Sequence, residues 1–229
     1  MTTTVVTGAN RGLGLEFVRQ CLGRGDKVIA GCRNPAEAKD LIALTPAKIL
    51  SLDVGHEESI EQFAASIDGQ VDVLINNAGT SATNLGVERG SAGVLNAPVD
   101  LTLDLIRING LSAASVTRSL LDHLSEGSQV VNITSQIGSM VVGAKFDDLP
   151  YSTSKAVMNM VTVQLASQLR DKDITVVAFH PGWVRTDMGG SQADISTEES
   201  AGGILSTLQQ LGLEQSGSFL RWDGSTHPW

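Results

Sequence analysis

Residues 3–17 read Thr-Thr-Val-Val-Thr-Gly-Ala-Asn-Arg-Gly-Leu-Gly-Leu-Glu-Phe. An apolar, β-branched run ends at Thr7 and passes directly into Gly8, Gly12 and Gly14, after which the pattern becomes helical. Glycines at this spacing between a strand and a helix are typical of a phosphate-binding loop, because they permit a tight turn and a close approach of the backbone. The N-terminus of the helix adds amide groups and a partial positive charge. The stretch therefore predicts a dinucleotide loop, with a purely structural turn as the alternative.

The pattern of this first strand and helix recurs along the chain. Further apolar runs without strict alternation, as expected of strands covered on both faces, are Lys27 to Cys32, Lys48 to Asp53, Val71 to Asn76, Gln129 to Ser135, Ile174 to His180 and Ser218 to Arg221. Stretches of helical periodicity are Leu13 to Arg24, Pro35 to Leu44, Glu57 to Ile67, Pro98 to Leu124, Tyr151 to Arg170 and Thr197 to Leu211. The alternation predicts one α/β domain over residues 1–229. We expect a Rossmann-type, doubly wound, mainly parallel seven-stranded sheet with helices on both faces.

Composition excludes several classes of function. Of the 229 residues, 41% are hydrophobic and 18% charged, as in a globular protein. The net charge of -9 is spread along the chain without a basic stripe, so nucleic acid is not an expected partner. Neither a membrane span nor a targeting segment is predicted, and we expect a cytoplasmic protein. The histidines lack metal-ligand spacing, so no metal is assigned.

The expected cofactor is NADP(H) rather than NAD(H). Proteins of this fold that select NAD place an acidic residue near the end of the second strand, where the chain here reads Gly31-Cys32-Arg33-Asn34. Arg33 and Arg11 can instead hold a 2'-phosphate through guanidinium forks, although both arginines being merely solvated is the alternative. The cofactor contacts predicted in these two loops are Gly8, Asn10, Arg11, Gly12, Leu13, Gly14, Arg33 and Asn34.

Two more strand ends are expected to contact the cofactor. Asp53, followed by Val54, closes the third predicted strand, where its carboxylate can meet an adenine amino group. Capping of the next helix is the alternative role. Asn77, Ala78 and Gly79 follow the fourth strand, and small residues there let a backbone pass close to a nucleotide. A plain turn would use the same residues.

Tyr151 and Lys155 are the predicted reacting pair. They stand at i and i+4 and project from one face of a predicted helix. Reduction of a carbonyl leaves an alkoxide that needs a proton, which a phenol can donate. Bringing the phenol's pKa from about 10 to near neutrality requires roughly 4 kcal/mol of preferential stabilisation of phenolate, which Lys155 and an oxidised nicotinamide can supply. The spacing alone is weak evidence for a catalytic site. It gains weight from Ser135 and from the glycine loop upstream.

The chain resembles the short-chain dehydrogenase/reductase family in a set of motifs that spans nearly its whole length. The motifs are TGANRGLG at 7–14, NNAG at 76–79, Asn109, Ser135, YSTSK at 151–155 and PGWVRT at 181–186. The pattern, including the closing SGSFLRWDGSTHPW, is most similar to the carbonyl-reductase-like branch with its sniffer-type and C-factor-type members.

The resemblance implies a role for each motif residue. Tyr151 is the general acid or base, Ser135 hydrogen-bonds the substrate oxygen, and Lys155 holds the nicotinamide ribose while lowering the pKa of Tyr151. Asn109 holds a water that links Lys155 to solvent. Flanking the nicotinamide are Pro181, Gly182, Trp183, Val184 and Thr186. Two alternatives stay open, that Ser135 only ends a strand and that Asn109 only kinks a helix.

Two departures from the family pattern bear on the substrate. Ser135 and Tyr151 stand farther apart than the commonest family spacing, so the loop 136–150 is expected to have its own shape, and the segment Arg185 to Thr197, usually the lid, is short. A relatively open pocket is expected. Its candidate residues are Met140, Val141, Phe146, Trp183 and Met188. They favour a hydrophobic aldehyde or ketone, unless they pack against one another.

The resemblance also implies a homodimer, or a dimer of dimers, built on the helices 109–124 and 151–170. The competing hypothesis is a nucleotide-binding regulator or C-factor-like signalling protein with little turnover, since fold alone does not decide activity.

Overall fold

The computed structural model describes residues 1–88 and 91–229, and all the strands within them belong to one parallel sheet. The strands are β1 (Thr3–Thr7), β2 (Lys27–Cys32), β3 (Lys48–Ser51), β4 (Val73–Asn76), β5 (Gln129–Ile133), β6 (Thr175–His180) and β7 (Phe219–Arg221). Their order is β3-β2-β1-β4-β5-β6-β7, and every neighbouring pair is parallel. The predicted fold class is confirmed.

Helices cover both faces of this sheet. They are α1 (Gly12–Gly23), α2 (Lys39–Ala43), α3 (Glu57–Ala65), α4 (Val99–Leu105), α5 (Ser112–Ser119), α6 (Leu149–Leu169) and α7 (Thr197–Leu208). Val6 packs in a core with residues of α1 and α7, while its neighbour Val5 packs in a second core with residues of α3, α5 and α6. Both valines are fully buried, because successive side chains of a strand point to opposite faces.

The order of the strands places a crevice at the carboxyl end of β1. β1 pairs with β2 on one side and β4 on the other, so the chain reverses its direction of winding between β1 and β4. Ligands of open parallel sheets bind at such a switch point, beyond the carboxyl ends of the strands. The loops after β1, β4, β5 and β6 all open at this edge.

Most predicted elements are present, with boundaries shifted by one to three residues. β1 and β2 have the predicted bounds. β3 ends at Ser51 rather than Asp53, because Asp53 leaves the strand to form a turn in which its Oδ1 accepts a hydrogen bond from the Gly55 amide at 2.9 Å. The strands β4 to β7 are each one or two residues shorter than predicted, and α7 ends at Leu208 rather than Leu211.

Two predicted helices are divided. The stretch from Pro98 to Leu124 was predicted as one helix, but a π-helical turn at Ile106–Leu111 separates α4 from α5. The stretch from Pro35 to Leu44 contains a 3-10 turn at Pro35–Glu37 before the short α2. None of the helices in residues 1–88 and 91–229 has the length and apolar character needed to cross a bilayer.

Candidate active site

The glycines after β1 are required by the protein's own packing as well as by a ligand. Gly8 and Gly12 have φ of 65° and 52°, a left-handed conformation that other residues rarely adopt. A Cβ on Gly8 would lie 2.8 Å from the Cα of Ala78. One on Gly14 would collide with the Gly8 carbonyl oxygen and the Asn77 side chain. The loop therefore closes tightly on the end of β4 before it enters α1.

The first turn of α1 is open to an anion. Arg11 occupies the N-cap without a side-chain hydrogen bond to the helix, and no acidic residue lies in the first turn. The amides at this end thus lack the side-chain acceptor that usually caps a helix. The Arg11 guanidinium lies 3.3 Å from the Asp187 carboxylate, and both side chains are exposed. Arg33 at the end of β2 is exposed and makes no ion pair within residues 1–88 and 91–229.

Asn77 and Ala78 brace the end of β4 against β1. The amides of both residues donate to the Thr7 hydroxyl at 3.0 Å, and the Asn77 side chain donates to the Thr7 carbonyl at 2.9 Å. Gly79 follows directly, and a Cβ there would lie 3.1 Å from the Asn109 Oδ1. The structure therefore gives Asn77 a bracing role at the switch point.

Asp148 fixes the start of α6 and with it the position of Tyr151. Its Oδ1 accepts a hydrogen bond from the Tyr151 amide at 3.1 Å, and Pro150 lies in the first turn, where the missing N–H costs nothing. The helix begins at Leu149, two residues before the predicted start. One turn further on, the Lys155 Nζ lies 5.7 Å from the centre of the Tyr151 ring.

Lys155 joins α6 to the end of β5. Its Nζ donates to the Ile133 carbonyl at 2.9 Å, and the residue is only 4% exposed. Ser135 lies two residues beyond Ile133, where its Oγ accepts from the Ile137 amide at 3.3 Å. A Cβ on Gly138 would lie 2.6 Å from the Lys155 carbonyl carbon, so the turn after Ser135 packs directly on α6. Ser135 and Lys155 therefore both lie where the carboxyl end of β5 meets α6.

Asn109 is fully buried in the π-helical turn and connects three segments. Its Oδ1 accepts from the Thr80 amide at 2.7 Å, and its Nδ2 donates to the Thr80 carbonyl at 2.8 Å and to the Ser154 Oγ at 3.1 Å. The Ser154 hydroxyl in turn donates to the Tyr151 carbonyl at 2.7 Å. Asn109 therefore both interrupts the helix and holds the β4 loop beside the first turn of α6.

Burial dominates the titration of Tyr151 and Lys155. It raises the pKa of Tyr151 to about 12, with a smaller contribution from the Asp148 carboxylate. Burial also lowers the pKa of Lys155 to about 8. In the protein chain by itself the pKa of Tyr151 therefore lies above its usual value, because loss of hydration dominates. At neutral pH Tyr151 carries its proton.

The segment after β6 reaches back to the phosphate loop. Trp183 Nε1 donates to the Gly189 carbonyl at 2.9 Å, and the Gly189 amide donates to the Thr186 Oγ1 at 3.0 Å. Val184 is buried and bridges to Ile195. A Cβ on Gly12 would lie 3.3 Å from the Thr186 Cγ2. Thr186 thus lies against the first turn of α1.

The predicted substrate residues are exposed on loops at this edge. Their exposed fractions run from 37% for Met188 and 39% for Phe146, through 44% for Trp183 and 69% for Val141, to 80% for Met140. Their exposure leaves apolar surface available to a ligand.

Sequence reasoning missed the side chains that hold the site residues in place. Asp148 had a readable signature, a helix-capping residue two positions before Pro150. Thr134 had none, although its hydroxyl donates to the Asn159 Oδ1 at 2.7 Å and to the Lys155 carbonyl at 3.3 Å. The wall against which Tyr151 packs was also missed, a small apolar cluster of Ala82, Ala92, Leu101 and Leu105.

A phenol beside a buried ammonium thus lies at the same edge of the sheet as the glycine loop. The family model for short chain dehydrogenases matches residues 2–196, and this chain belongs to that family and is an oxidoreductase. The resemblance read from the motifs is confirmed.

Three known proteins place the chain within the family. It is 35% identical over 170 residues to the C-signal protein of Myxococcus xanthus, covering 73% of this chain and 98% of that one. The NADPH-bound carbonyl reductase from chicken fatty liver is 32% identical with a TM-score of 0.89, covering 100% of this chain and 99% of that one. The carbonyl reductase Sniffer of D. melanogaster is 30% identical with a TM-score of 0.90 and full coverage, 100%, of both chains.

Proposed function

We propose that this protein is an NADP(H)-dependent oxidoreductase that interconverts carbonyl compounds and alcohols, with small or hydrophobic aldehydes and ketones as its substrates. The observation that carries the proposal is the placement of Tyr151 one helical turn from Lys155, whose ammonium is bonded to the strand end that leads into Ser135. Solved carbonyl reductases of closely similar fold support it.

The crevice fits a dinucleotide phosphate. The first-turn amides of α1 have no side-chain cap, and the preceding glycines adopt conformations that bring the backbone close to an anion. The exposed guanidinium groups of Arg33 and Arg11 suit a 2'-phosphate, since each offers a planar fork of donors. The nicotinamide, when bound, supplies or accepts the hydride.

The remaining cofactor contacts are assigned by their positions at the strand ends. Asp53 and Val54 contact the adenine, Asn77 to Gly79 pass beside the nucleotide, and Pro181 to Val184 with Thr186 flank the nicotinamide ring. Asp53 Oδ1 already accepts from Gly55, so one carboxylate oxygen is used within the turn.

Tyr151 moves the proton in this proposal. Because burial raises its pKa to about 12, the phenol is protonated at neutral pH and ready to donate to the oxygen of a carbonyl. Ser135 Oγ hydrogen-bonds that oxygen and orients it. With a pKa of about 8, Lys155 is mainly protonated at neutral pH, so its charge stabilises the phenolate left behind. Lys155 also holds the ribose of the cofactor.

Cofactor selectivity tests the assignment of Arg33. We expect kcat/KM for NADPH to exceed that for NADH by at least about tenfold, since a charged hydrogen bond contributes roughly 1.5–3 kcal/mol. Arg33→Asp should reverse the preference, because a carboxylate repels the 2'-phosphate and accepts from ribose hydroxyls. Arg170→Asp, a change of the same charge on another exposed arginine, is the control. A wild-type preference for NADH contradicts the assignment of Arg33. Separately, a screen of carbonyl compounds with NADPH contradicts the proposed hydrophobic substrate if only charged compounds are turned over.

We also propose a homodimer, or a dimer of dimers, on the helices flanking the site. Leu103, Leu111, Met160 and Val163 are apolar and between 41% and 58% exposed on α4, α6 and the turn between α4 and α5. These elements pack on one another, so the residues lie on neighbouring elements. Surfaces of this kind are typical of protein–protein contacts.

Similarity to C-signal favours a signalling role as the second candidate function. A pure binding protein has no need of a proton donor, so the joint presence of Asn109, Ser135, Tyr151 and Lys155 favours the enzyme. A Tyr151→Phe variant that keeps the biological activity of the protein while losing turnover would support signalling.

A further inference from the structure

The last residues described, Thr226–Trp229, run back over the edge strand of the sheet and are called the strap below. Thr226 bridges Leu220 in antiparallel fashion, and the His227 amide donates to the Phe219 carbonyl at 2.8 Å. His227 is only 5% exposed. The strap is therefore part of the fold and is held at a defined position on β7.

The strap ends on the loop that follows Ser135. The Trp229 main-chain oxygen accepts a hydrogen bond from the Ser139 hydroxyl at 3.0 Å and from the Val141 amide at 3.4 Å. The Ser139 Oγ itself accepts from the Val141 amide at 3.2 Å and the Val142 amide at 3.4 Å. Ser139 is 2% exposed, so the connection is shielded from water. A segment 90 positions away in sequence thus closes the beginning of the loop.

Aromatic packing attaches the strap to the other border of the site. The His227 ring lies 4.5 Å from Phe219 and 5.6 Å from His180, centre to centre. His180 ends β6 and directly precedes the segment from Pro181 that flanks the crevice. The Trp229 ring lies 5.1 Å from Phe219. The strap therefore contacts the loop after Ser135 and the end of the strand that leads into the segment from Pro181.

Beyond Gly138 the loop is held by bonds within itself, such as that from the Gly143 amide to the Ser139 carbonyl at 2.7 Å, and by its bonds to the strap. Asn159 Nδ2 donates to the Gly138 carbonyl at 3.1 Å and fixes the loop on α6. The next residues, Met140 and Val141, are 80% and 69% exposed, so burial cannot position them. The bonds that Ser139 and the Val141 amide make with Trp229 join this exposed stretch to the strap.

We propose that Ser139 and Trp229 are positioning residues that hold Met140 and Val141 as one wall of the substrate site. The proposal rests on the proposed carbonyl reductase function. Ser135 lies before the fixed point at Gly138, so the strap sets substrate affinity and selectivity and leaves the proton transfer unchanged. Large hydrophobic carbonyls, which reach this wall, depend on the strap more than small ones do.

Removing the hydroxyl of Ser139 tests the proposal. In Ser139→Ala we expect KM for a large hydrophobic ketone to rise about fivefold, as loss of one hydrogen bond predicts, with kcat and the NADPH Kd within twofold of wild type. KM for a small aldehyde should change less. The matched control is Ser225→Ala, which removes an exposed hydroxyl bonded to Asp223 in the turn before the strap.

Changes at Trp229 test the same connection from its other end. Trp229→Ala removes the ring packed on Phe219 and should raise KM as Ser139→Ala does, whereas Trp229→Phe keeps an aromatic contact and should restore wild-type values. Because Trp229 is 38% exposed, we expect these variants to fold, so they test the proposal if Ser139→Ala does not. A general loss of stability would lower kcat and cofactor binding together, which contradicts a positioning role.

Hydrogen exchange of the amides 139–146 gives a readout that needs no substrate. We expect faster exchange in Ser139→Ala and Trp229→Ala than in wild type, Trp229→Phe or Ser225→Ala. If exchange in Ser139→Ala and Trp229→Ala is unchanged, the proposal is overturned whatever their KM values are. Faster exchange with an unchanged KM overturns it as well. If the wild-type protein reduces no carbonyl with NADPH, the proposed function fails and the strap is judged by exchange alone.

Discussion

At the scale of single residues, Lys155 is a buried cation that lowers the free energy of unfolding. It is 4% exposed, and burial lowers its pKa from 10.5 to about 8. One hydrogen bond, to the Ile133 carbonyl, compensates part of the lost hydration. Such a residue is expected where charge is needed for chemistry rather than for stability.

Replacing this lysine should stabilise the protein. The lowered pKa implies a penalty of about 3 kcal/mol at pH 7, and a Lys155→Met variant removes it while losing one hydrogen bond of about 1 kcal/mol. We therefore expect the free energy of unfolding to rise by about 2 kcal/mol at pH 7, as measured by urea titration.

The gain should disappear as the pH rises. Between pH 8 and 10.5 the unfolded chain binds more protons at Lys155 than the folded chain does, so wild-type stability increases with pH in this window. The penalty is fully present below pH 8 and lost towards pH 10.5. Lys172→Met, at an exposed position, is the control and should change stability little. The account is contradicted if Lys155→Met is less stable than wild type at pH 7. It is also contradicted if the variant's gain in stability is as large at pH 10 as at pH 7.

At the scale of elements, the site depends on close contact between α6 and the π-helical turn at Ile106–Leu111. A Cβ on Gly110 would lie 2.8 Å from the Val157 Cγ1 and 2.9 Å from the Ser154 carbonyl oxygen. Glycine at this position lets the turn approach the first half of α6. Asn109, its neighbour, then reaches Ser154.

Gly110→Ala should separate these elements. The added methyl group forces an overpacked contact, and we expect a loss of about 2 kcal/mol in the free energy of unfolding, measured in urea. Gly23→Ala is the control, because Gly23 is also helical and a Cβ there meets nothing within 4 Å. It should be neutral or stabilising by up to about 1 kcal/mol. Equal effects of the two changes would show that the contact with α6 does not matter.

Local sequence patterns predicted strand bounds but not features set by contacts between distant segments. The bounds of β1 and β2 were predicted correctly, because each strand ends in a change of pattern that local residues define. A single helix was predicted around Asn109, and a kink at this residue stood only as one of its two alternative roles. The cause of the break is not local, since Asn109 bonds Thr80 and Ser154, which lie 29 and 45 positions away. The strap was missed for the same reason.

At the scale of the whole molecule, the sheet order determines where the site lies. Every loop that carries a candidate residue leaves the carboxyl end of a strand, and parallel pairing brings these ends to one edge. The alternation of strand and helix patterns was enough to predict this edge from sequence. The uncovered helix faces were implied by the family resemblance and by the broad apolar surface of the helix from Tyr151 to Arg170.

Those faces should mediate dimerisation. We expect sedimentation velocity at micromolar concentration to show a dimer or a larger even assembly, and Met160→Glu to shift it towards monomer, because a buried unpaired carboxylate opposes association. Ile42→Glu makes the same change at an apolar residue of α2 that is 46% exposed, and should leave the assembly intact. A wild-type monomer would rule out this interface.

The central claim, that Tyr151 donates the proton to a carbonyl reduced by NADPH, is tested most directly by Tyr151→Phe. The variant keeps the ring that packs against the cluster around Leu105 and removes only the hydroxyl. We expect kcat/KM to fall by about 10³-fold or more, the scale of general acid catalysis, while the Kd for NADPH stays within twofold of wild type. Turnover within tenfold of wild type, with cofactor binding intact, would contradict the claim.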